Sequence, residues 1–191
     1  MKVYLIHGWG GNSKGDWFVW LEKELEKRGI KVEAPDMPET WTPTIKKWVG
    51  KLNEIVKADE ETILVGHSIG CQAVMRYLEQ LPEKKKVKVA ILVAGWISLT
   101  EETLDEEYTK EIADEWLNTR LDFDKIGNNA EKFIIINSDN DPYVELSDAE
   151  ILEKELEAEK IILHNKGHIA GEDGVKEFPI LLNKILEIRN K

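Results

Sequence analysis

The sequence predicts an α/β fold, a mostly parallel sheet of about six strands with helices on both faces, on three observations. Short apolar runs of strand length recur along the whole chain. Segments with apolar residues at helical spacing lie between them, an alternation that favours parallel strands covered on both sides. One run passes through Gly66-His67-Ser68-Ile69-Gly70 directly into a helical segment, the pattern of a sharp strand-to-helix turn.

In chain order, the first run, Val3 to Ile6, ends in the glycine-rich His7-Gly8-Trp9-Gly10-Gly11. Trp17, Trp20, Leu21 and Leu25 follow at helical spacing. Ile30 to Ala34 alternates apolar and charged residues, which suits a more exposed strand. Ile45, Trp48, Val49, Leu52, Ile55 and Val56 mark a second helix, and Thr62 to Val65 a buried strand. Beyond the Gly-x-Ser-x-Gly turn a helix is expected over 71–80, then a strand from Val87 to Ala94. From Ser98 to Asn129 the chain is richly acidic and strandless. Ile112, Trp116 and Leu117 suggest an amphipathic helix there, and the segment 98–129 is a candidate small cap. Strands are expected at Phe133 to Ile136 and Lys160 to Leu163, and helices over 149–156 and 175–188, the last with Phe178, Leu181, Leu182, Ile185 and Leu186 along one face. With no internal repeat, low-complexity tract or Gly/Ser-rich linker, residues 1–191 are expected to form a single domain.

Composition narrows the function. Hydrophobic residues are 42% and charged residues 33% of the chain, enough apolar surface for a core. The formal net charge of -11 repels a phosphate backbone or an anionic membrane surface, so nucleic acid and membrane are not expected partners. Lys84-Lys85-Lys86, beside Glu83, reads as a solvated loop. Cys71 is the single cysteine, which rules out an intramolecular disulfide and makes a reducing, cytoplasmic setting the default expectation. No signal-peptide pattern follows Met1, and the longest apolar runs fall short of the ~20 residues that cross a bilayer. His7, His67, His164 and His168 lack paired ligand spacing on a helix, and no Gly-Lys-Ser/Thr phosphate loop is present. Neither a metal nor a nucleotide cofactor is expected.

The chemistry centres on Ser68. By itself the five-residue pattern is weak, and an ordinary turn is its plainer reading; a buried strand before it and a helix after it make it specific. Flanking glycines are needed because the turn is sharp and the helix passes close to the strand. A serine hydroxyl needs a base, itself oriented by a carboxylate. His67 is adjacent to Ser68 and points elsewhere, and His7 suits a loop-shaping role. His168, in the flexible Lys166-Gly167-His168, is preferred over His164 at the strand end. The loop Ser138-Asp139-Asn140-Asp141-Pro142-Tyr143-Val144 offers two acids. Asp141 is preferred, with Asp139 expected to cap a turn. The order serine, acid, histidine is the one α/β-hydrolases use. Backbone N–H groups of Trp9 and Ile69 fit the places of an oxyanion hole. Cys71 reads as a small buried packing residue. Trp9, Trp17 and Trp96 are candidates to line an apolar acyl pocket, although core packing or helix docking is the plainer role of Trp17, as of Trp20 and Trp48.

Taken together, His7-Gly8-Trp9-Gly10-Gly11, Asp16-Trp17-Phe18 with Trp20-Leu21, Ala34-Pro35-Asp36-Met37-Pro38, Trp48, the Ser68 motif, Asp139 to Val144 and Gly167-His168 resemble the small serine hydrolase family of the α/β-hydrolase superfamily, the retinoblastoma-binding protein nine-like group. The resemblance covers nearly the whole chain. It implies a compact sheet of about six strands, Ser68, Asp141 and His168 as the triad, and hydrolysis of small carboxylic esters or amides. Glu145 departs from the family pattern, in which a proline is common after Val144, and so bears on the geometry of that loop. Thioester cleavage and acyl transfer would use the same three residues. A different class of function, a non-catalytic protein-binding module on this scaffold, would need a partner that binds independently of Ser68.

Overall fold

The computed structural model describes residues 1–82 and 85–189. Six strands, β1 (Lys2–Ile6), β2 (Lys31–Glu33), β3 (Thr62–His67), β4 (Val89–Val93), β5 (Phe133–Ser138) and β6 (Glu159–Leu163), form one sheet in the order β2-β1-β3-β4-β5-β6. Every neighbouring pair is parallel. Each expected strand is present. The Val87–Ala94 run is shorter as a strand, because Val87 forms only an isolated bridge to Ala130.

Side-chain alternation divides the sheet between two cores. Tyr4, Ile6, Leu64, Ala90, Leu92, Phe133 and Ile135 face one cluster. Helices α2 (Ile45–Ile55), α3 (Ile69–Glu79), α6 (Phe123–Asn128) and α7 (Leu146–Leu156) cover it. Val3, Leu5, Ile63, Val65, Ile91, Val93, Ile134 and Ile136 face the other, covered by α1 (Phe18–Glu26) and α8 (Pro179–Arg189). Central strands are therefore buried on both faces, which explains their unbroken apolar runs. Each fully buried Leu or Ile contributes roughly 1.5–3 kcal/mol.

Three boundaries differ from expectation for local reasons. The last helix starts at Pro179 rather than Val175, because a residue before proline disfavours helical backbone and proline itself suits the first helical position. Val175 and Phe178 still pack in the core, as non-helical chain. The helix after the elbow starts at Ile69, and α7 starts at Leu146. The acidic segment holds α4 (Glu101–Leu104), α5 (Thr109–Asn118) and α6. Glu83 and Lys84 of the basic run lie outside the described residues, while Lys85 and Lys86 are exposed.

The sheet order places the functional loops. From β1 the chain moves to β2 on one side, then returns to β3 on the other side of β1. The chain thus leaves β1 and β3 in opposite directions at the C-terminal edge, the usual ligand position in such sheets.

Candidate active site

The turn after β3 is built by close approach. A Cβ on Gly66 would stand 2.7 Å from Cys71 N, and one on Gly70 only 2.4 Å from Ile6 O, so neither position admits a side chain. Ser68 between them has φ 55 and ψ -124, a strained conformation for a non-glycine residue. Its backbone is fixed at both ends, with Ser68 N–H donating to Val93 O (2.9 Å) and Cys71 N–H to Ser68 O (2.8 Å). Although Ser68 occupies the N-cap of α3, its hydroxyl makes no capping hydrogen bond. The loop after β1 runs against this elbow: a Cβ on Gly8 would meet Ser68 Cβ at 3.3 Å. Ile69 opens α3 and so has no intrahelical acceptor for its N–H. Among the described residues, Trp9 N–H has no acceptor either.

His168 Nδ1 lies 2.8 Å from Asp141 Oδ2, with side chains 11% and 1% exposed. A carboxylate oxygen accepts, so Nδ1–H donates, and in the neutral ring that tautomer leaves the lone pair on Nε2. The other oxygen, Oδ1, accepts from Tyr143 N–H (2.9 Å) and Val144 N–H (3.2 Å). Tyr143 also sets its ring edge against the imidazole at 5.0 Å. Glu145 has φ -67, a value proline itself would impose, so its departure from the family pattern leaves this loop's backbone in the same region. Among the described residues no hydrogen bond joins Ser68 Oγ to His168. Such contacts are often loose without substrate. The two are linked instead through His67, whose Nε2–H donates to His168 O at 2.9 Å.

The serine hydrolase family model matches residues 3–187, nearly the whole chain. The chain belongs to the serine hydrolase family. This serine hydrolase is 29% identical over 191 residues to the putative hydrolase YdeN of Bacillus subtilis, covering 100% of this chain and 97% of that protein. The crystal structure of the ydeN gene product superposes with a TM-score of 0.91 at 30% identity, covering 100% of this chain and 99% of that one. Serine hydrolase RBBP9 of Rattus norvegicus is 29% identical over 170 residues, covering 87% of this chain and 86% of that protein. A structure from Nitrososphaera gargenis, described among carboxylesterases, shares the fold at a TM-score of 0.73 and 18% identity, covering 99% of this chain and 91% of that one.

Other candidates in this serine hydrolase fall elsewhere. Asp139 does not cap its own turn as expected, since the turn amides of Tyr143 and Val144 bind Asp141; its carboxylate instead reaches across to accept from His164 Nδ1–H (2.6 Å) and Asn165 N–H (2.9 Å). This second Asp–His pair is solvent-facing, with His164 80% exposed. His7 Nδ1–H donates to Gly8 O (2.7 Å) and Nε2 accepts from Met37 N–H (2.9 Å), so both nitrogens hold loops. Burial lowers its pKa, in keeping with a neutral ring. Cys71 is buried between Gly66 O and Val93 O, each 3.2 Å from Sγ, and burial pushes its thiol pKa up. Trp17 and Trp96 are core residues at 0% and 3% exposure, while Trp9 is half-buried and donates from Nε1 to Trp41 O.

Sequence reasoning gave no role to Asp16, Asn140 or Asp148. Asn140 Oδ1 accepts from Gly167 N–H, and Asp148 accepts from Ile97 N–H, Ser98 N–H and Ser98 Oγ–H, which fastens the loop after β4. Isolated Asp and Asn residues near loops carry no signal of such long-range partners. In the acidic segment α6 packs against both α3 and α7, and α5 is tied to α3 and to the chain before α2. Trp116 Nε1–H donates to Pro43 O, and buried Arg76 donates to Trp116 O and Thr119 O. There the segment borders a cavity of about 800 Å³ lined by Gln72, Arg76, Trp116, Phe123 and Ile151. The start of the segment adjoins the acid loop, where Thr100 N–H, at the N-cap of α4, donates to Tyr143 O. Among the described residues no group of His, Cys, Asp and Glu is arranged to hold a metal, and no helix is long and apolar enough to cross a membrane.

Proposed function

We propose that this chain hydrolyses small carboxylic esters with Ser68 as nucleophile, His168 as general base and Asp141 as the carboxylate that orients it. The observation that carries this reading is the buried 2.8 Å Asp141–His168 bond beside a strained elbow serine whose hydroxyl is not spent on helix capping. With Nδ1–H committed to Asp141, Nε2 is the basic atom.

Ser68 Oγ attacks the ester carbonyl carbon as its proton passes to His168 Nε2. The N–H groups of Trp9 and Ile69 face the developing oxyanion, a stabilisation that costs no reorganisation because backbone holds both. His168 then protonates the leaving alcohol, the carbon–oxygen bond breaks, and an acyl-Ser68 ester remains. Water enters and gives a proton to Nε2 as its oxygen bonds the acyl carbon. Return of that proton to Ser68 Oγ releases the carboxylic acid. Amides and thioesters would follow the same course with a different leaving atom. Substrate and water are the only reactants in this scheme, and residues 1–191 act as one catalytic unit with 98–129 as a flanking cap. A cytoplasmic setting suits the single buried thiol.

The test is labelling with a fluorophosphonate probe, which reports an activated serine without a known substrate, alongside a panel of short-chain p-nitrophenyl esters. Labelling and turnover by wild type and neither by Ser68→Ala is expected. A folded wild type that neither labels nor turns over any acyl compound would overturn the reading in favour of a binding module.

A further inference from the structure

The loop carrying His168 is fastened to the body of the protein at consecutive points by residues that the hydrolytic scheme does not use. His67 Nε2–H donates to His168 O at 2.9 Å, Trp17 Nε1–H donates to Ile169 O at 3.0 Å, and Gly171 N–H donates to Asp16 Oδ1 at 2.6 Å. All three fasteners come from distant chain, the stretch before α1 and the elbow itself. The backbone they hold is one that would not persist alone. Ile169 has φ 56, in the left-handed region that β-branched residues avoid. Asp16 has φ 48, so the fastening chain is itself bent into place.

Packing closes the same assembly. Trp17 is fully buried and stands edge-on to His67 at 6.0 Å, and the rings of His67 and His168 lie 5.1 Å apart. Asp16 Oδ2 is 4.0 Å from His67 Nδ1, which has no hydrogen-bond partner among the described residues. His67 immediately precedes the elbow serine, so a single side chain ties the strand that presents Ser68 to the backbone that presents His168.

We propose that Asp16, Trp17 and His67 are positioning residues that clamp the 168–171 backbone and thereby set where the His168 imidazole stands relative to Ser68. This role rests on Ser68 and His168 being nucleophile and base. Asp141 fixes the direction of the imidazole through its side chain; the clamp fixes its height above the sheet through its main chain. Both are needed because proton transfer tolerates little displacement.

The experiment uses Trp17→Phe, which keeps the ring stack and removes the N–H, and the pair Asp16→Ala and Asp16→Asn, of which the second keeps an acceptor oxygen. Values of kcat and KM for a p-nitrophenyl ester and the low-field imidazole N–H resonance of His168 are measured together. Trp17→Phe and Asp16→Ala are expected to lower kcat by about tenfold with KM changed less than about twofold. Their His168 resonance should broaden or vanish, and Asp16→Asn should recover most of the loss. Unchanged kcat in folded Trp17→Phe, with the resonance intact, overturns the clamp. Hydrogen exchange of the wild-type Gly171 amide provides a second readout that needs no variant: protection comparable to β3 amides supports the clamp, and exchange at the rate of an open loop overturns it. A wild type that fails to label with fluorophosphonate instead overturns the underlying assignment, whatever the clamp variants do.

Discussion

Two aspartates two residues apart, each bonded to a histidine, have opposite surroundings. The Asp141 side chain is 1% exposed and bonded by two backbone N–H groups as well as His168; Asp139 holds an exposed His164. A buried carboxylate with three partners holds an imidazole in one orientation, whereas an exposed pair is worth little. Asp141→Asn is therefore expected to lower kcat for an ester by about 10³-fold or more, and Asp139→Asn to change it by less than about twofold. Steady-state kinetics on the two purified variants separates the cases; equal losses would sink the assignment of Asp141. Ser68→Ala belongs with the first, since members of a triad fail as a unit.

At the scale of elements, the site exists because one strand, one turn and one helix are forced together. Gly70 lets α3 pass over the end of β1, and its missing Cβ is the reason the two backbones meet. Gly70→Ala would bring a methyl group to 2.4 Å from Ile6 O, and Ile6, the last residue of β1, is held in register against Gly66 of β3 and cannot give. A cost of about 3 kcal/mol is expected, seen as a lower urea midpoint together with loss of fluorophosphonate labelling. A fully stable Gly70→Ala would mean that the elbow is looser than its contacts indicate. The acid loop depends on elements in the same way, being held by α4 through Thr100 and followed directly by α7, whose buried Asp148 fastens the loop after β4.

The whole molecule sets two further behaviours. His67 is buried, and its pKa is pushed down to about 4 first by burial and then by the neighbouring charge of His168. The unfolded chain binds a proton below about pH 6.5 that the folded His67 refuses. Its contribution to stability is thus present above pH 6.5 and lost as the pH falls toward 4. The urea midpoint is expected to drop between pH 7 and 5, above the range of ordinary carboxylates, and His67→Gln should flatten that slope; a midpoint level across the window would contradict a neutral buried His67. Cys71 reports on the core on the other face of the sheet. Its thiol sits between β3 and β4 carbonyls, so labelling by a disulfide reagent should require global opening and track the unfolding equilibrium across urea concentrations. Rapid labelling of native protein would place Cys71 outside the core.

What the sequence determined by itself was the periodic and the local. Apolar runs such as Ile63-Leu64-Val65 identify strands because central parallel strands are buried on both faces, and the glycines about Ser68 identify the elbow because no other residue fits its contacts. That Ser68, Asp141 and His168 stand in loops at the same edge of the sheet was legible for the same reason, since each follows a recognisable strand. Tertiary structure alone decided the rest. Nothing near Asp16 or Trp17 in the chain announces a partner at Gly171 or Ile169, more than 150 residues away. The strandless 98–129 gave no hint that α6 packs between α3 and α7, that Arg76 of α3 holds the end of α5, or that Thr100 ahead of α4 meets the acid loop. Hydrogen bonds between loops obey distance in space, and periodicity records only which face of each element is turned to the core.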